Sequence, residues 1–162
     1  AWLVKRNASQ IDEIVHTLGI LLALPKLLEP GEEVEYLSLA AGNTGKGCDL
    51  ATNLRLAEFT FIRWQGGPEV IRQNKVFKDF YFLAETDTTK RRELFVLGTD
   101  HVQRFLSSRR NLGPILQNNA KLGLSFRRKY GEQFETVGDY YKTKMDVVLL
   151  RDIRDFVPVE LI

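Results

Sequence analysis

A nearly continuous apolar run over residues 54–62 constrains the fold of this chain more than any other segment. The run reads LRLAEFTFI and is interrupted by Arg55, Glu58 and Thr60. A strand with one wet face alternates apolar and polar residues, whereas a run that is apolar on both faces is typical of a central strand covered from two sides. We therefore predict an α/β fold in which helices pack on both faces of a sheet.

The segments around this run predict the other elements. Ser9 can cap a first helix that ends near Pro30 and Gly31, because apolar residues recur behind it at steps of three and four. Short strands are predicted over 34–39 and 48–51, a second helix from Pro68 to about 85, a fourth strand over 93–97 and a third helix capped by Thr99 and broken at Gly113-Pro114. The predicted order is α-β-β-β-α-β-α, followed by a short helix near 115, a helix over 132–142 and a strand over 146–150. The apolar positions of the first helix are Ile11, Ile14, Val15, Leu18, Leu21 and Leu22.

The length and composition indicate one globular domain. The 162 residues are 44% apolar and 27% charged, and a chain of this size buries about two thirds of its unfolded surface. We predict a single domain over 1–162, with a core at about 9–110 and a C-terminal extension at about 111–162. The first residue is Ala1, so a start inside a longer protein and a start behind a removed tag are both open, and a flanking domain or subunit is a further expectation.

The cysteine content and the hydropathy pattern indicate in which cellular compartment the protein is expected. Cys48 is the single cysteine, so no internal disulfide can form, and no Cys/His group has the spacing of a zinc site. The longest apolar stretch, 11–28, is interrupted by charged residues and Pro25, which excludes a membrane span or a signal peptide. We expect a cytoplasmic protein.

The basic residues are grouped, although the net charge is +2. Clusters occur at 90–92, 109–110 and 127–129. Two interpretations stay open, because such clusters can form a phosphate-binding face or can be ordinary solvated loops and helix ends.

Two carboxylates stand out around the predicted hairpin. A tight turn at Thr52-Asn53 would pair Ala51 with Leu54 and place Asp49 opposite Leu56, which makes Asp49 and Glu58 diagonal neighbours on one face, about 7–8 Å apart. A buried carboxylate needs a compensating charge. A shared hard cation would supply it, and a salt bridge from Arg55, Arg72 or Lys75 is the alternative.

An acid on one strand, a hairpin, and then Glu58-Phe59-Thr60 on the next strand resemble the PD-(D/E)xK nuclease superfamily. The resemblance covers about 9–110 and is carried more by the element order than by the short motif. It implies a restriction-endonuclease-like core, and Mg²⁺ or Mn²⁺ held by Asp49, Glu58 and the backbone carbonyl of Phe59. Two positions depart from the pattern, since Cys48 replaces a common proline and Thr60 replaces the lysine that orients the attacking water.

The resemblance also implies supporting roles. Glu13 matches an outer acid on the first helix, and Gln73 and Lys75 match polar support on the second. Lys46, in the glycine-rich stretch 42–47, would lie near substrate phosphate, but this stretch lacks the serine or threonine of a nucleotide-binding P-loop and leads into a strand. The residues expected to bind nucleic acid are Lys46, Arg72, Arg109, Arg110, Arg127 and Arg128.

The threonine at the lysine position leaves three interpretations. Lys75 or Arg72 supplies the missing charge from the second helix; the domain is a relative that binds without catalysis; or Thr60 is a substitution that inactivates the protein. The resemblance thus implies a DNA endonuclease, a magnesium-dependent hydrolase, with a homodimer as a further expectation. The alternative is a non-catalytic module that binds nucleic acid or protein. Catalysis through His16, His101 or Cys48 is not expected.

Overall fold

The computed structural model describes residues 2–39, 47–61, 64 and 69–157, which form a five-stranded sheet flanked by helices. The predicted order α-β-β-β-α-β-α is confirmed as far as residue 106. The helices are α1 (Trp2–Leu27), α2 (Glu69–Glu85), α3 (Thr99–Leu106), α4 (Leu112–Gln117), α5 (Ala120–Tyr130) and α6 (Val137–Lys142). The strands are β1 (Val34–Leu37), β2 (Leu50–Thr52), β3 (Arg55–Thr60), β4 (Arg91–Val96) and β5 (Leu149–Asp152), with a 3₁₀ turn at Ile153–Asp155.

The sheet is open and mixed, with the strands in chain order. β1, β2 and β3 pair in antiparallel fashion, while β3, β4 and β5 are parallel. β3 is therefore the central strand, as the apolar run predicts. Among the described residues, no helix is both long enough and apolar enough to cross a bilayer.

Helices cover both faces of this sheet. On one face α2 packs against β4, where Val76 and Phe80 join Leu94 and Val96 in an apolar cluster that continues into α3 through α6. On the other face α1 covers the remaining side of β3 and β4. Two apolar layers thus enclose the central strand, and a charged side chain on β3 must find its partner inside the fold.

The first helix buries a different face from the one that its apolar spacing predicts. The buried residues of α1 include His16, Ile20, Ala23 and Leu27. A Cβ at Gly19 would lie 2.3 Å from the ring of Phe61, so this small residue lets α1 approach the sheet closely. Ser9 also lies inside α1 rather than at its cap. The predicted core positions Ile11, Ile14, Val15, Leu18, Leu21 and Leu22 are exposed by 38–59%.

The hairpin between β2 and β3 has a longer connection than predicted. Ala51 pairs with Leu56, not with Leu54. The Thr52 hydroxyl accepts hydrogen bonds from the backbone N–H groups of Leu54 and Arg55, at 3.0 and 2.9 Å, which holds a turn two residues longer than a tight one. The prediction that Asp49 lies opposite Leu56 is therefore wrong.

Arg55 anchors the start of β3 in a buried ion network. Its guanidinium donates to Glu32 at 2.6 Å and to Glu93 at 2.8 Å, and Glu29 accepts a further bond at 3.2 Å. Arg55 is 3% exposed and Glu93 is 2% exposed. Arg55 is thus engaged at the opposite end of the strand from Thr60, and Glu58 is not the carboxylate that it neutralises.

The C-terminal third differs most from the sequence-based prediction. The third helix ends at Leu106, and Gly113-Pro114 lies in the first turn of α4, which Asn111 caps through the N–H of Gly113 at 2.7 Å. Thr99 is the first residue of α3 rather than its cap. α5 was not predicted, and the helix predicted over 132–142 begins only at Val137, behind a capping box formed by Thr136 and Asp139.

One buried carboxylate ties this C-terminal third to α2. Glu85 accepts hydrogen bonds from the hydroxyl groups of Tyr130 and Tyr140, both at 2.7 Å, and forms ion pairs with Lys129 and Lys144. Burial opposes ionisation, but these donors outweigh it and lower the pKa of Glu85 to about 2. The ionised form is therefore the one that the fold stabilises.

We predict that E85Q destabilises the fold by about 2 kcal/mol at neutral pH, because hydrogen bonds to a charged group are lost, which corresponds to roughly 4–8 °C in Tm. A depressed pKa stabilises the folded state above the unfolded value of 4.5 and loses that effect as the pH falls towards about 2. The difference in Tm between E85Q and wild type should therefore shrink between these limits. A difference that is constant with pH would contradict this account.

Candidate functional site

Asp49 lies at the point where β2 begins and faces the far end of β3. Its backbone N–H donates to the carbonyl of Ala57 at 3.0 Å. Its carboxylate oxygen Oδ2 accepts a hydrogen bond from the backbone N–H of Phe59 at 2.9 Å. At this position of the hairpin a side-chain oxygen is thus the acceptor for the N–H of β3. The ladder between β2 and β3 ends with Leu50 opposite Ala57, so Asp49 and Glu58 are the next residues on the two strands. The two carboxylates are closer neighbours than the diagonal pair that the sequence predicts.

The carboxyl groups of Asp49 and Glu58 share a hydrogen bond. Burial, followed by the negative charges of Asp79 and Asp49, raises the pKa of Glu58 to about 10. Burial also acts to raise the pKa of Asp49, but the nearby His16, the N–H of Phe59 and the Glu58 hydroxyl outweigh it and lower that pKa. Of the two acids, Glu58 is therefore the one whose surroundings favour the protonated form, while those of Asp49 favour the ionised form.

Lys75 brings a positive charge to the motif threonine. Its Nζ lies 3.1 Å from the hydroxyl oxygen of Thr60 and 2.8 Å from Oδ2 of Asp79, one turn further along α2. Asp79 is 2% exposed and also pairs with Lys78 at 3.1 Å. Burial acts to lower the pKa of Lys75, but Asp79, Glu58 and Asp49 raise it. The ammonium group is thus held, charged, beside the carboxylate pair.

His16 reaches the same site from α1, on the opposite face of the sheet. Its Nε2 lies 3.7 Å from Oδ2 of Asp49, and its ring packs edge-on against Phe61 at 5.8 Å between centroids. Sequence reasoning set His16 aside because no Ser or Cys partner lies at a suitable spacing. The sequence did contain one indication of this contact, because His16 is a polar residue among the apolar positions of the first helix.

Glu58 also borders a small cleft that α5 helps to form. The cleft has a volume of about 80 Å³, and Lys78, Asn119 and Lys121 are among its lining residues. Asn119 is fixed there because its side chain caps α5 through the N–H of Leu122, at 3.0 Å. The sequence analysis did not connect either lysine with Glu58: Lys121 lies on α5, which was not predicted, and Lys78 lies on the predicted second helix but was not distinguished there.

The other predicted catalytic residues lie apart from the carboxylate pair. Glu13 is exposed on α1, one turn before His16, and it is His16 that approaches Asp49. Gln73 lines a different cleft, between α2 and α3. Arg72 is half-buried on α2.

The predicted basic clusters are partly occupied within the fold. Lys90 pairs with Glu35 at 2.6 Å and Arg91 pairs with Glu29 at 2.7 Å, while Lys129 pairs with Glu85. Arg110 is half-buried, whereas Arg109, Arg127 and Arg128 are exposed. Lys46 lies outside the described residues. The clusters at 90–92 and 127–129 are therefore only in part available to an external phosphate.

The residues that could contribute ligands to a metal ion are two carboxylates and a backbone carbonyl. Among the described residues, no group of three or more His, Cys, Asp or Glu side chains is arranged to hold a metal. In a strand the N–H and C=O of one residue point to the same edge, so the carbonyl of Phe59 points the same way as its N–H, towards Asp49. Two acids that compete for one proton, next to such a carbonyl, fit a hard divalent cation.

No protein-family model matches the chain, and no curated protein or solved structure matches it significantly. The function is therefore inferred from the geometry of the site.

We predict that the metal-free protein loses stability as the pH rises, through Glu58. A raised pKa stabilises the folded state fully below the unfolded value of 4.5, and this effect is lost as the pH rises towards about 10. Glutamine keeps the hydrogen bond to Asp49 without a titrating proton. E58Q should therefore have a higher Tm than wild type in EDTA at pH 8–9, by roughly 2–4 °C for each kcal/mol recovered, and a flatter dependence of Tm on pH.

The matched control for E58Q is E13Q, which removes an exposed carboxylate from α1. E13Q should keep the slope of the wild type. A slope that persists unchanged in E58Q would show that Glu58 ionises normally in the folded protein.

Proposed function

We propose that this chain is a metal-dependent nuclease domain that cleaves DNA phosphodiester bonds. The observation that carries the proposal is the position of Lys75, whose Nζ donates to the Thr60 hydroxyl beside the Asp49–Glu58 pair. A nuclease of the PD-(D/E)xK plan needs a cation at this place, and a threonine cannot supply one. The contact favours the first of the three interpretations of Thr60, in which the charge comes from the second helix.

The topology supports the same proposal. Two acids on a β2–β3 hairpin, followed by a helix and a parallel β4, agree with the order expected of a restriction-endonuclease-like core. Both acids lie at the end of β3 that leads towards α2. We infer that the core of the domain is of this type, with α4 to α6 and β5 as its C-terminal extension.

The residues of the site divide into three roles. Asp49, Glu58 and the carbonyl of Phe59 would hold Mg²⁺ or Mn²⁺, which supplies Lewis-acid charge beside the scissile phosphate when bound. Lys75 holds a fixed ammonium group where negative charge develops on the phosphate, and a preorganised charge of this kind costs no reorganisation during the reaction. Asp79 positions Lys75 through the 2.8 Å ion pair.

Two further residues would act on the substrate without entering the chemistry. Lys78 and Lys121 border the cleft at Glu58 and are placed to contact phosphates that flank the scissile bond. Contacts of this kind carry most of the salt-dependent affinity for DNA.

The rival function is a non-catalytic binding module, and one observation favours it. The charges of the cluster are already balanced internally, since Asp79 neutralises Lys75 and Glu58 can retain its proton. Such a cluster can hold the fold together without a cation. The two functions differ in whether a divalent ion binds at Asp49 and Glu58.

We predict that Mg²⁺ and Mn²⁺ raise the Tm of the wild-type protein, because an ion that binds only the folded state stabilises it by about 2.7 kcal/mol at a concentration of 100 Kd. The shift should grow between pH 6 and pH 9, since the cation must displace the proton of Glu58. E58Q and D49N should abolish the shift, and E13Q should retain it. Equal shifts in all four proteins would place the ion elsewhere.

We predict that K75M lowers the cleavage rate at saturating plasmid and metal by about 10²-fold, because a positioned cation is lost. The second change T60K should restore at least a tenfold part of this loss in the K75M background, since it returns a lysine to the motif strand. In the wild-type background T60K should not raise the cleavage rate, because two ammonium groups would then compete for one position.

K78M is the matched control, because Lys78 pairs with the same Asp79, whereas among the described residues it is Lys75 that contacts Thr60. It should retain the rate at saturating substrate. Absence of cleavage in every version, including K75M with T60K, would end the enzymatic proposal and leave the binding module.

A further inference from the structure

A second cleft lies on the other flank of α2, between this helix, α3 and Trp64. Its volume is about 340 Å³, which is within the range of small-molecule sites. Gln73 reaches it from α2, and Arg104 and Arg110 reach it from α3 and the segment that follows. Gln73 and Lys75 are two residues apart on one helix, about 200° around its axis, so the cleft and the carboxylate pair lie on different sides of the same turn.

Three of the residues that line this cleft each carry a buried polar atom that has no hydrogen-bond partner within the part of the chain that the structure describes. These atoms are Nε1 of Trp64, Oε1 of Gln73 and Nε of Arg110. The Trp64 side chain is among the buried residues, at 6% exposure, and it packs against Phe105 with 5.9 Å between ring centroids. Buried polar groups in folded proteins are nearly always paired. Three unpaired ones around a single cleft indicate that a ligand or ordered water completes them.

The charges of the residues around the cleft favour an anionic ligand. Arg104 and Arg110 contribute two positive charges against the one negative charge of Glu69, so these three residues leave the lining with an excess of positive charge. The cleft also borders the first turn of α2, which begins at Glu69, and the N-terminus of a helix of this length attracts anions. A singly charged phosphate group therefore fits the lining.

The unpaired atoms of Trp64, Arg110 and Gln73 include both hydrogen-bond donors and an acceptor, and a phosphate group alone would not satisfy all of them. The N–H groups of Trp64 and Arg110 can donate to phosphate oxygens, whereas the amide of Gln73 can accept from a base or a sugar hydroxyl, or donate after a rotation of its end group. A nucleotide carries both kinds of group, while inorganic phosphate and a nucleoside each carry one.

We infer that this cleft binds one nucleotide of the substrate strand, through its phosphate and its base or sugar. The assignment of that nucleotide to a DNA substrate rests on the proposed function; the binding of a free nucleotide does not. Bound there, the strand would be held on one flank of α2 while the carboxylate pair acts from the other.

Trp64 provides a direct reporter, because the chain has two tryptophans and W2F leaves Trp64 alone. The W2F protein is titrated in EDTA with each of the four deoxynucleoside 5′-monophosphates, with inorganic phosphate and with thymidine. At least one nucleotide should change the Trp64 emission with a Kd near the millimolar range, at least about tenfold tighter than phosphate or thymidine.

R110Q, made in the W2F protein, should weaken nucleotide binding at least about tenfold, since it removes a charged donor to phosphate. R151Q is its matched control, because Arg151 is an exposed arginine on β5 that does not line the cleft. Should R110Q lower the Tm markedly, R104Q at the exposed rim replaces it, with the same expectation.

The outcomes separate this inference from the nuclease proposal. D49N should abolish cleavage and leave nucleotide binding intact, whereas R110Q should weaken binding and raise KM for DNA while the metal-induced Tm shift remains. Failure of all four nucleotides to bind, or binding of phosphate as tight as that of nucleotides, would overturn the inference whether or not plasmid is cut. Nucleotide binding that depends on Arg110, without cleavage by any version, would support the cleft and end the nuclease proposal.

Discussion

The burial of two acidic side chains on adjacent strands is the constraint on which the rest of the site depends. Asp49 and Glu58 face each other across the β2–β3 hairpin, and like charges at this separation cannot both remain ionised in a partly desolvated place. The structure meets this constraint with a proton on Glu58, an N–H from Phe59 and the charge of Lys75.

The central strand carries such charges at both of its ends. Arg55, at its start, is satisfied by Glu32 and Glu93, and this network is complete within the fold. At its other end burial, followed by the negative charges of Asp79 and Asp49, raises the pKa of Glu58. The contrast separates a structural ion network from a site that can still accept a positive charge, and perturbed groups of this second kind are typical of functional sites.

α2 connects the parts of the protein that bear on function. Its Lys75 and Asp79 face the carboxylate pair, Gln73 lines the second cleft, and Glu85 at its end gathers two tyrosines and two lysines from the C-terminal third. The C-terminal third in turn places Asn119 and Lys121 beside Glu58. The segment that sequence reasoning read least well is therefore the one that shapes the approach to the site.

The sequence by itself determined the central strand and the order of the first seven elements, because both follow from local spacing along the chain. It also indicated that Asp49 and Glu58 are neighbours on a hairpin, but through a register that differs from the one observed. It could not determine the register of the hairpin, since the Thr52 hydroxyl lengthens the turn through bonds that exist only once the turn has formed. It also could not select the face of α1, because apolar residues surround that helix and the close approach at Gly19 decided which side is buried. The contacts of Lys75 with Thr60 and of His16 with Asp49 join residues 15 and 33 positions apart in the chain, and only tertiary packing brings such side chains within 3.1 and 3.7 Å of each other.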